Sequence, residues 1–253
     1  MATQKPHRPA LPLISCPRIT QLNMPPESAF PIPLADRLKS VGIIAVLVID
    51  DAADAVPVAS TLLEGGIGAI ELTLRTDSAI ESVRRIRAEV PEMIVGVGTI
   101  LTPGQVDEVV AAGAAFGVAP GMNPSTVAAA KAAGLPFAPG VCTPTDIELA
   151  IAAGCRMLKF FPCEPSGGLK FLQSIAAPFE HLGVKFIPLG GIDTTNADTY
   201  LADPLIHAIG GSWLAPRQTI RTKNWTLIRE CASRANQMLK RVRKQALLDE
   251  AAR

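Results

Sequence analysis

The stretch "GAIELTLRT", residues 68–76, divides into two chemically distinct faces. Side chains along a strand point alternately to opposite sides. Glu71, Thr73 and Arg75 therefore share one face, and Ile70, Leu72 and Leu74 share the other. An apolar face suits packing beneath covering helices, which leaves the polar face directed into an enclosed interior. The flanking segments fit that arrangement. "DAADAVPVASTLLEGG" (51–66) and "DSAIESVRRIRAEV" (77–90) carry helical periodicity, so this strand sits between two helices.

The alternation runs on from about residue 35. The β-rich runs "VGIIAVLVI" (41–49), "MIVGVGTI" (93–100), "CRMLKFFP" (155–162) and "VKFIPLGG" (184–191) are separated by helical segments such as "TPGQVDEVVAAG" (102–113) and "NPSTVAAAKAAG" (123–134). Weaker strands, "AFGVAP", "LPFAP" and "IHAIGG", fill the remaining slots and bring the strand–helix units to eight. Several helices open on an Asp, Thr or Asn cap and close on glycine. Alternating β and α units imply a parallel sheet, and eight of them predict an α/β fold closed into a single (β/α)8 TIM barrel. An open doubly wound sheet is the alternative; it would carry GxGxxG after the first strand, and "GVGT" is not that fingerprint. The division expected is a proline-rich N-terminal tail over 1–27, the barrel over 28–222, and a closing helix and tail over 223–253. In that last segment Trp225, Ile228, Ala232, Ala235, Leu239 and Val242 fall on one helical face.

Composition narrows the class. Hydrophobic residues make up 48% of the chain, enough for a large core, but aromatics are only 4%, so that core must be built from Ala, Val, Ile and Leu. A net charge of +1 leaves no electrostatic footprint for nucleic acid or an anionic membrane. No apolar run approaches the ~20 residues needed to cross a bilayer, and the proline-rich beginning lacks a continuous signal-peptide core. A cytoplasmic location is therefore expected. The five cysteines, Cys16, Cys142, Cys155, Cys163 and Cys231, form no CxxC pair and read as free thiols.

In such a barrel, chemistry gathers where the strands end at the C-terminal face. "MLKFFP" (157–162) places one lysine in a wholly apolar run. Alternation puts Lys159 on the inward side with Met157 and Phe161, and turns Leu158 and Phe160 toward the helices. Burying an ammonium is costly, and desolvation favours the neutral amine of a buried lysine, the form that attacks a ketone to give a Schiff base. A structural lysine paired with Glu71 or with backbone carbonyls, or a Glu71–Arg75 pair that only satisfies itself, would explain the same pattern. Gly190 and Gly191 in "PLGGI", and Gly210 and Gly211 before Ser212 in "GGSWL", follow the seventh and eighth strands. Loops in those positions often bind phosphate. His7, His181 and His207 show no metal-ligand spacing, "GGSWL" lacks the last glycine of a nucleophile elbow, and there is no Walker A loop.

In family order, "EGGIGAIELTLRT", "VGVGTILTP", "APGMNP", "PGVCTPTD", "LKFFPCE" and "PLGGI", with "GGSWL" after them, resemble the 2-keto-3-deoxy-6-phosphogluconate (KDPG) aldolases. That family overlaps with the 4-hydroxy-2-oxoglutarate (KHG) aldolases, and the resemblance runs from about Leu38 to Leu214. It implies a class I aldolase, free of metal and cofactor, usually a homotrimer, that cleaves a phosphorylated keto acid to pyruvate and glyceraldehyde 3-phosphate. By the resemblance, Lys159 is the Schiff-base lysine and Glu71 the acid/base. Arg75 and Thr99 would grip the pyruvate carboxylate, Pro120 and Phe161 would shape the pocket, and Gly190, Gly191 and Ser212 would bind phosphate. The family commonly reads PTGGI, where this chain has Leu189. The lost hydroxyl would have held the aldehyde half, so a relaxed or altered preference between the gluconate-derived substrate and its galactonate epimer is expected. The competing readings are a galactonate-epimer aldolase, a non-covalent phosphate-binding barrel such as an epimerase, and a silent barrel used as a scaffold. The last predicts loss of Lys159 or Glu71, and both are present.

Overall fold

A computed structural model describes residues 30–251, so the proline-rich stretch 1–27 lies outside the described residues. The strands are β1 (Ile43–Leu47), β2 (Ala69–Thr73), β3 (Ile94–Gly98), β4 (Phe116–Val118), β5 (Phe137–Ala138), β6 (Gly140–Val141), β7 (Met157–Phe160), β8 (Lys185–Pro188) and β9 (Ile209–Gly211). The α-helices are α1 (Ile32–Val41), α2 (Ala55–Glu64), α3 (Ala79–Glu89), α4 (Pro103–Ala111), α5 (Pro124–Ala132), α6 (Pro144–Ala152), α7 (Gly168–Ala176), α8 (Ala197–Leu201), α9 (Arg217–Arg221) and α10 (Trp225–Ala251).

All strand pairs are parallel, in a curled six-stranded sheet ordered β5-β4-β3-β2-β1-β9 and a three-stranded one ordered β6-β7-β8. The two join on both sides. Bridges from Phe186 to Ile206 and from Leu189 to Gly210 link β8 to the β9 side. On the other side, β5 and β6 are one barrel strand broken at Pro139, which has no N–H to donate but accepts from the Lys159 amide at 2.9 Å. The sequence reading "LPFAP" (135–139) contains the first piece, and the strand resumes beyond the proline at Gly140–Val141, which that reading left out. Eight strand positions close the barrel.

The helices start where local chemistry dictates. Thr102 and Thr143 form capping boxes with Gln105 and Asp146, and Asn123 accepts from the Ser125 and Thr126 amides. In all three a proline follows at the first helical turn, where its missing N–H costs nothing. Each such cap contributes on the order of 1 kcal/mol.

Two apolar layers result. Ile43, Ala45, Leu47, Ile70, Leu72, Val95, Val97, Leu158 and Phe160 pack outward against the helices. Ile44, Ala69, Ile94, Phe116, Ala138, Met157 and Ile187 fill the interior. The predicted sorting of β2 and β7 is the one observed. Helix α1 was not anticipated: it brings Leu34, Ala35, Leu38 and Val41 to that interior cluster, with Phe30 beside Phe116 at 6.2 Å between ring centroids. Its short apolar face closes the N-terminal end of the barrel and leaves the C-terminal end open. Ile228, Ala232, Ala235 and Leu239 of α10 are buried, Trp225 and Val242 partly so. Among the described residues no helix is long and apolar enough to cross a membrane.

Candidate active site

The inward faces of β2 and β7 place Glu71 and Lys159 opposite each other. Lys159 Nζ lies 2.9 Å from Glu71 Oε1, and the two residues are 6% and 2% exposed. The ammonium also sits 5.5 Å from the centroid of the Phe161 ring, within range of its electron-rich face. Room for the carboxylate comes from β3: a Cβ at residue 98 would fall 1.9 Å from Glu71 Oε1, so only glycine fits while the pair is in place.

A relay of polar contacts runs outward along β2. Arg75 Nε donates to Thr73 Oγ1 at 3.1 Å, and Thr73 Oγ1 donates to the Leu47 carbonyl at 3.0 Å. The guanidinium is thereby oriented at the mouth while remaining exposed. Thr99, at the end of β3, has φ +63°. A β-branched residue in the left-handed region is an outlier costing of order 1–3 kcal/mol, held there by its surroundings.

These groups line one cavity of about 340 Å³. Its walls are Val46, Glu71, Thr73, Arg75, Thr99, Pro120, Lys159, Phe161, Leu189, Gly190, Gly210, Gly211 and Ser212. The cavity therefore gathers Lys159, Glu71, Arg75, Thr99, Pro120, Phe161, Gly190 and Ser212 of the residues expected from sequence. Gly191 is next to it but not in the lining, and its Cα packs against Glu164. Sequence reasoning gave no role to Val46, whose inward alternation with Ile44 on β1 was a usable signal. Two cationic side chains against one carboxylate make the cavity suited to an anion.

Polarity is unevenly distributed. The charged and hydroxyl groups of β2 and β3 occupy one end, and the glycine turns at Gly190 and Gly210–Gly211 with Ser212 occupy the other. Leu189 stands at the glycine end, buried and bridged to Gly210, its side chain filling the space above that residue, where a Cβ would meet Leu189 Cγ at 2.5 Å. Beneath the mouth, burial pushes the Cys163 thiol up to about 11, so it stays a neutral thiol. Cys142, Cys155, Cys163 and Cys231 are all free.

The fold and this cavity define a (β/α)8-barrel enzyme with its polar groups at the C-terminal mouth. The family model for KDPG and KHG aldolase matches residues 34–231, and the chain belongs to that family of aldolases. It is 41% identical over 202 residues to 2-dehydro-3-deoxy-phosphogluconate aldolase of Dickeya dadantii, covering 79% of this chain and 94% of that protein. Identity to the KHG/KDPG aldolase of Escherichia coli K12 is also 41%, over 193 residues, 76% of this chain and 90% of that one. Among solved structures, KDPG aldolase from Legionella pneumophila, with pyruvate captured as a covalent carbinolamine, aligns with a TM-score of 0.75 at 36% identity, covering 79% and 96% of the two chains.

Proposed function

We propose that the protein is a class I aldolase that cleaves 2-keto-3-deoxy-6-phosphogluconate to pyruvate and glyceraldehyde 3-phosphate through a Schiff base on Lys159, and that it also accepts 4-hydroxy-2-oxoglutarate. The observation that carries this reading is the buried Lys159–Glu71 contact of 2.9 Å at the mouth of the barrel. A lysine there can hand a proton to the carboxylate and attack as the neutral amine. The covalent pyruvate carbinolamine in the Legionella structure supports the same chemistry here.

The steps follow from the groups present. The substrate carboxylate lies at the Arg75–Thr99 end and the phosphate at the Gly190, Gly191 and Ser212 end, with Pro120 and Phe161 walling the pocket between. Lys159 Nζ adds to the C2 ketone, and loss of water gives the protonated imine. Glu71 takes the proton of the C4 hydroxyl, the C3–C4 bond breaks, and its electron pair passes to the iminium nitrogen. The aldehyde leaves. Glu71 returns a proton to C3 of the enamine, and water hydrolyses the imine to pyruvate and free Lys159. The one water released on imine formation balances the one consumed at the end. No step calls on a metal.

The test is borohydride trapping. Incubation with pyruvate and sodium borohydride, without added metal, is expected to leave a reduced pyruvyl adduct that peptide mapping locates at Lys159. A folded protein that acquires no adduct at Lys159 overturns the mechanism.

A further inference from the structure

Below the candidate phosphate turn lies a hydrogen-bonded group that the mechanism does not use. Tyr200 of α8 is 2% exposed. Its hydroxyl donates to Glu164 Oε1 and accepts from Cys163 Sγ at 3.1 Å. Burial pushes the phenol up, and its bonds to Cys163 and Glu164 push the same way, so it remains a donor.

Glu164 is the other half of the arrangement. Its backbone N–H donates to the Gly190 carbonyl at 2.9 Å, and the preceding N–H, of Cys163, donates to the Leu189 carbonyl at 2.7 Å. Its side chain runs beneath Gly191, which has φ +84°, and a Cβ there would meet Glu164 Cβ at 2.5 Å. At its far end Gly168 makes room, since a Cβ there would lie 3.1 Å from Glu164 Oε1 and 3.2 Å from the Tyr200 hydroxyl. The turn is also tied by Asn196, whose Nδ2 donates to the Gly191 carbonyl at 3.1 Å. Both carbonyls of the Gly190–Gly191 turn are thus held, one of them by Glu164, whose side chain is locked by a buried tyrosine.

We infer that Tyr200, acting through Glu164, is a positioning residue for the phosphate end of the substrate: it sets the Gly190–Gly191 turn and holds the Glu164 carboxylate away from the phosphate. This rests on the reading that those glycines bind phosphate. An anionic side chain beside a phosphate site is harmful unless it is restrained, because like charges held close repel and the glycine amides must stay aimed at the ligand. Loss of the Tyr200 hydroxyl would free the carboxylate to swing toward the mouth.

The test separates the two ends of the site. Exchange of the pyruvate C3 protons with deuterium uses only Lys159, Glu71 and the carboxylate end, whereas cleavage of the phosphorylated substrate uses both ends. Tyr200→Phe is expected to raise KM for the phosphorylated substrate about tenfold, the worth of one hydrogen bond to a charged group, with kcat and pyruvate exchange within about twofold of wild type. Glu164→Ala removes the carboxylate that Tyr200 restrains, so adding Tyr200→Phe in that background should raise KM no further. Glu164→Gln keeps an acceptor for Tyr200 and should keep the wild-type KM. If KM is unchanged in Tyr200→Phe, or Tyr200→Phe raises it equally in the Glu164→Ala background, or pyruvate exchange falls in parallel, the positioning role is wrong. A wild-type protein that neither exchanges pyruvate nor cleaves the substrate would instead reject the function itself.

Discussion

Glu71 stands opposite Gly96 on the adjacent strand, and its carboxylate reaches two positions along to occupy the volume that any side chain on Gly98 would need. The Cβ of an alanine at 98 would lie 1.9 Å from Glu71 Oε1 and 2.7 Å from Cδ. Gly98→Ala must therefore push the carboxylate off its 2.9 Å contact with Lys159. Misplacing a catalytic group by about 1 Å can cost about 10²-fold in rate. We expect kcat to fall by that order, with the barrel intact by circular dichroism. An unchanged kcat would mean that Glu71 does not act from its observed position.

The same pair makes a second prediction, about stability. Lys159→Met removes the only cation within ion-pairing distance of Glu71 among the described residues and leaves a buried carboxylate without its partner, which costs about 3–5 kcal/mol. Adding Glu71→Gln removes that charge. The double variant should therefore unfold at a higher denaturant midpoint than Lys159→Met alone, although both lack the lysine. A loss in the double variant equal to the sum of the two single losses would argue that the pair is not coupled.

Alternation alone makes much of this site legible in the sequence. A period of two is enough to place Glu71, Thr73 and Arg75 on one side of β2, and Lys159 on the same inner surface. What it could not convey is which neighbour each residue meets. The need for glycine at 98 is invisible along β3, because the atom that demands it belongs to β2. Tyr200 and Glu164 are 36 residues apart, and nothing in either segment announces the bond between them. Helix α1 escaped notice because its apolar positions are few and its partners, such as Phe116 and Met157, are far along the chain. The break at Pro139 is a local effect that a proline in a weak strand does signal.

Leu189 governs the third prediction. It puts an apolar side chain into the cavity lining beside Gly190 and Gly210. A leucine cannot hydrogen-bond a hydroxyl, so it reads little of the configuration at C4. We expect the ratio of kcat/KM for the gluconate-derived substrate to that for its galactonate epimer to be near one. Leu189→Thr supplies a hydroxyl and should move that ratio by about tenfold in favour of one epimer. A wild-type ratio far from one would place discrimination elsewhere.

The last prediction concerns pH and the closed end of the barrel. His207 Nδ1 is buried without a hydrogen-bond partner. Burial first, then the nearby charges of Lys39 and Lys185, hold its pKa below the ordinary 6.5, with Asp36 opposing. The unfolded chain therefore takes up a proton near 6.5 that the folded chain refuses until lower pH. Its contribution to stability is intact above that value, falls as pH drops through it, and levels off below the folded-state pKa. Other depressed groups do not confuse the window. Asp50, Glu81 and Asp193 are held below the usual carboxylate range by Arg217, Arg85 and Thr195, so their losses come at more acid pH. Thermal melts between pH 7.5 and 5.5 should show Tm declining by roughly 3 °C for each unit of pKa difference. His207→Asn keeps a polar atom of similar reach but cannot titrate, and its Tm should be flatter across the same range. A slope equal to wild type would assign the acid sensitivity to another group.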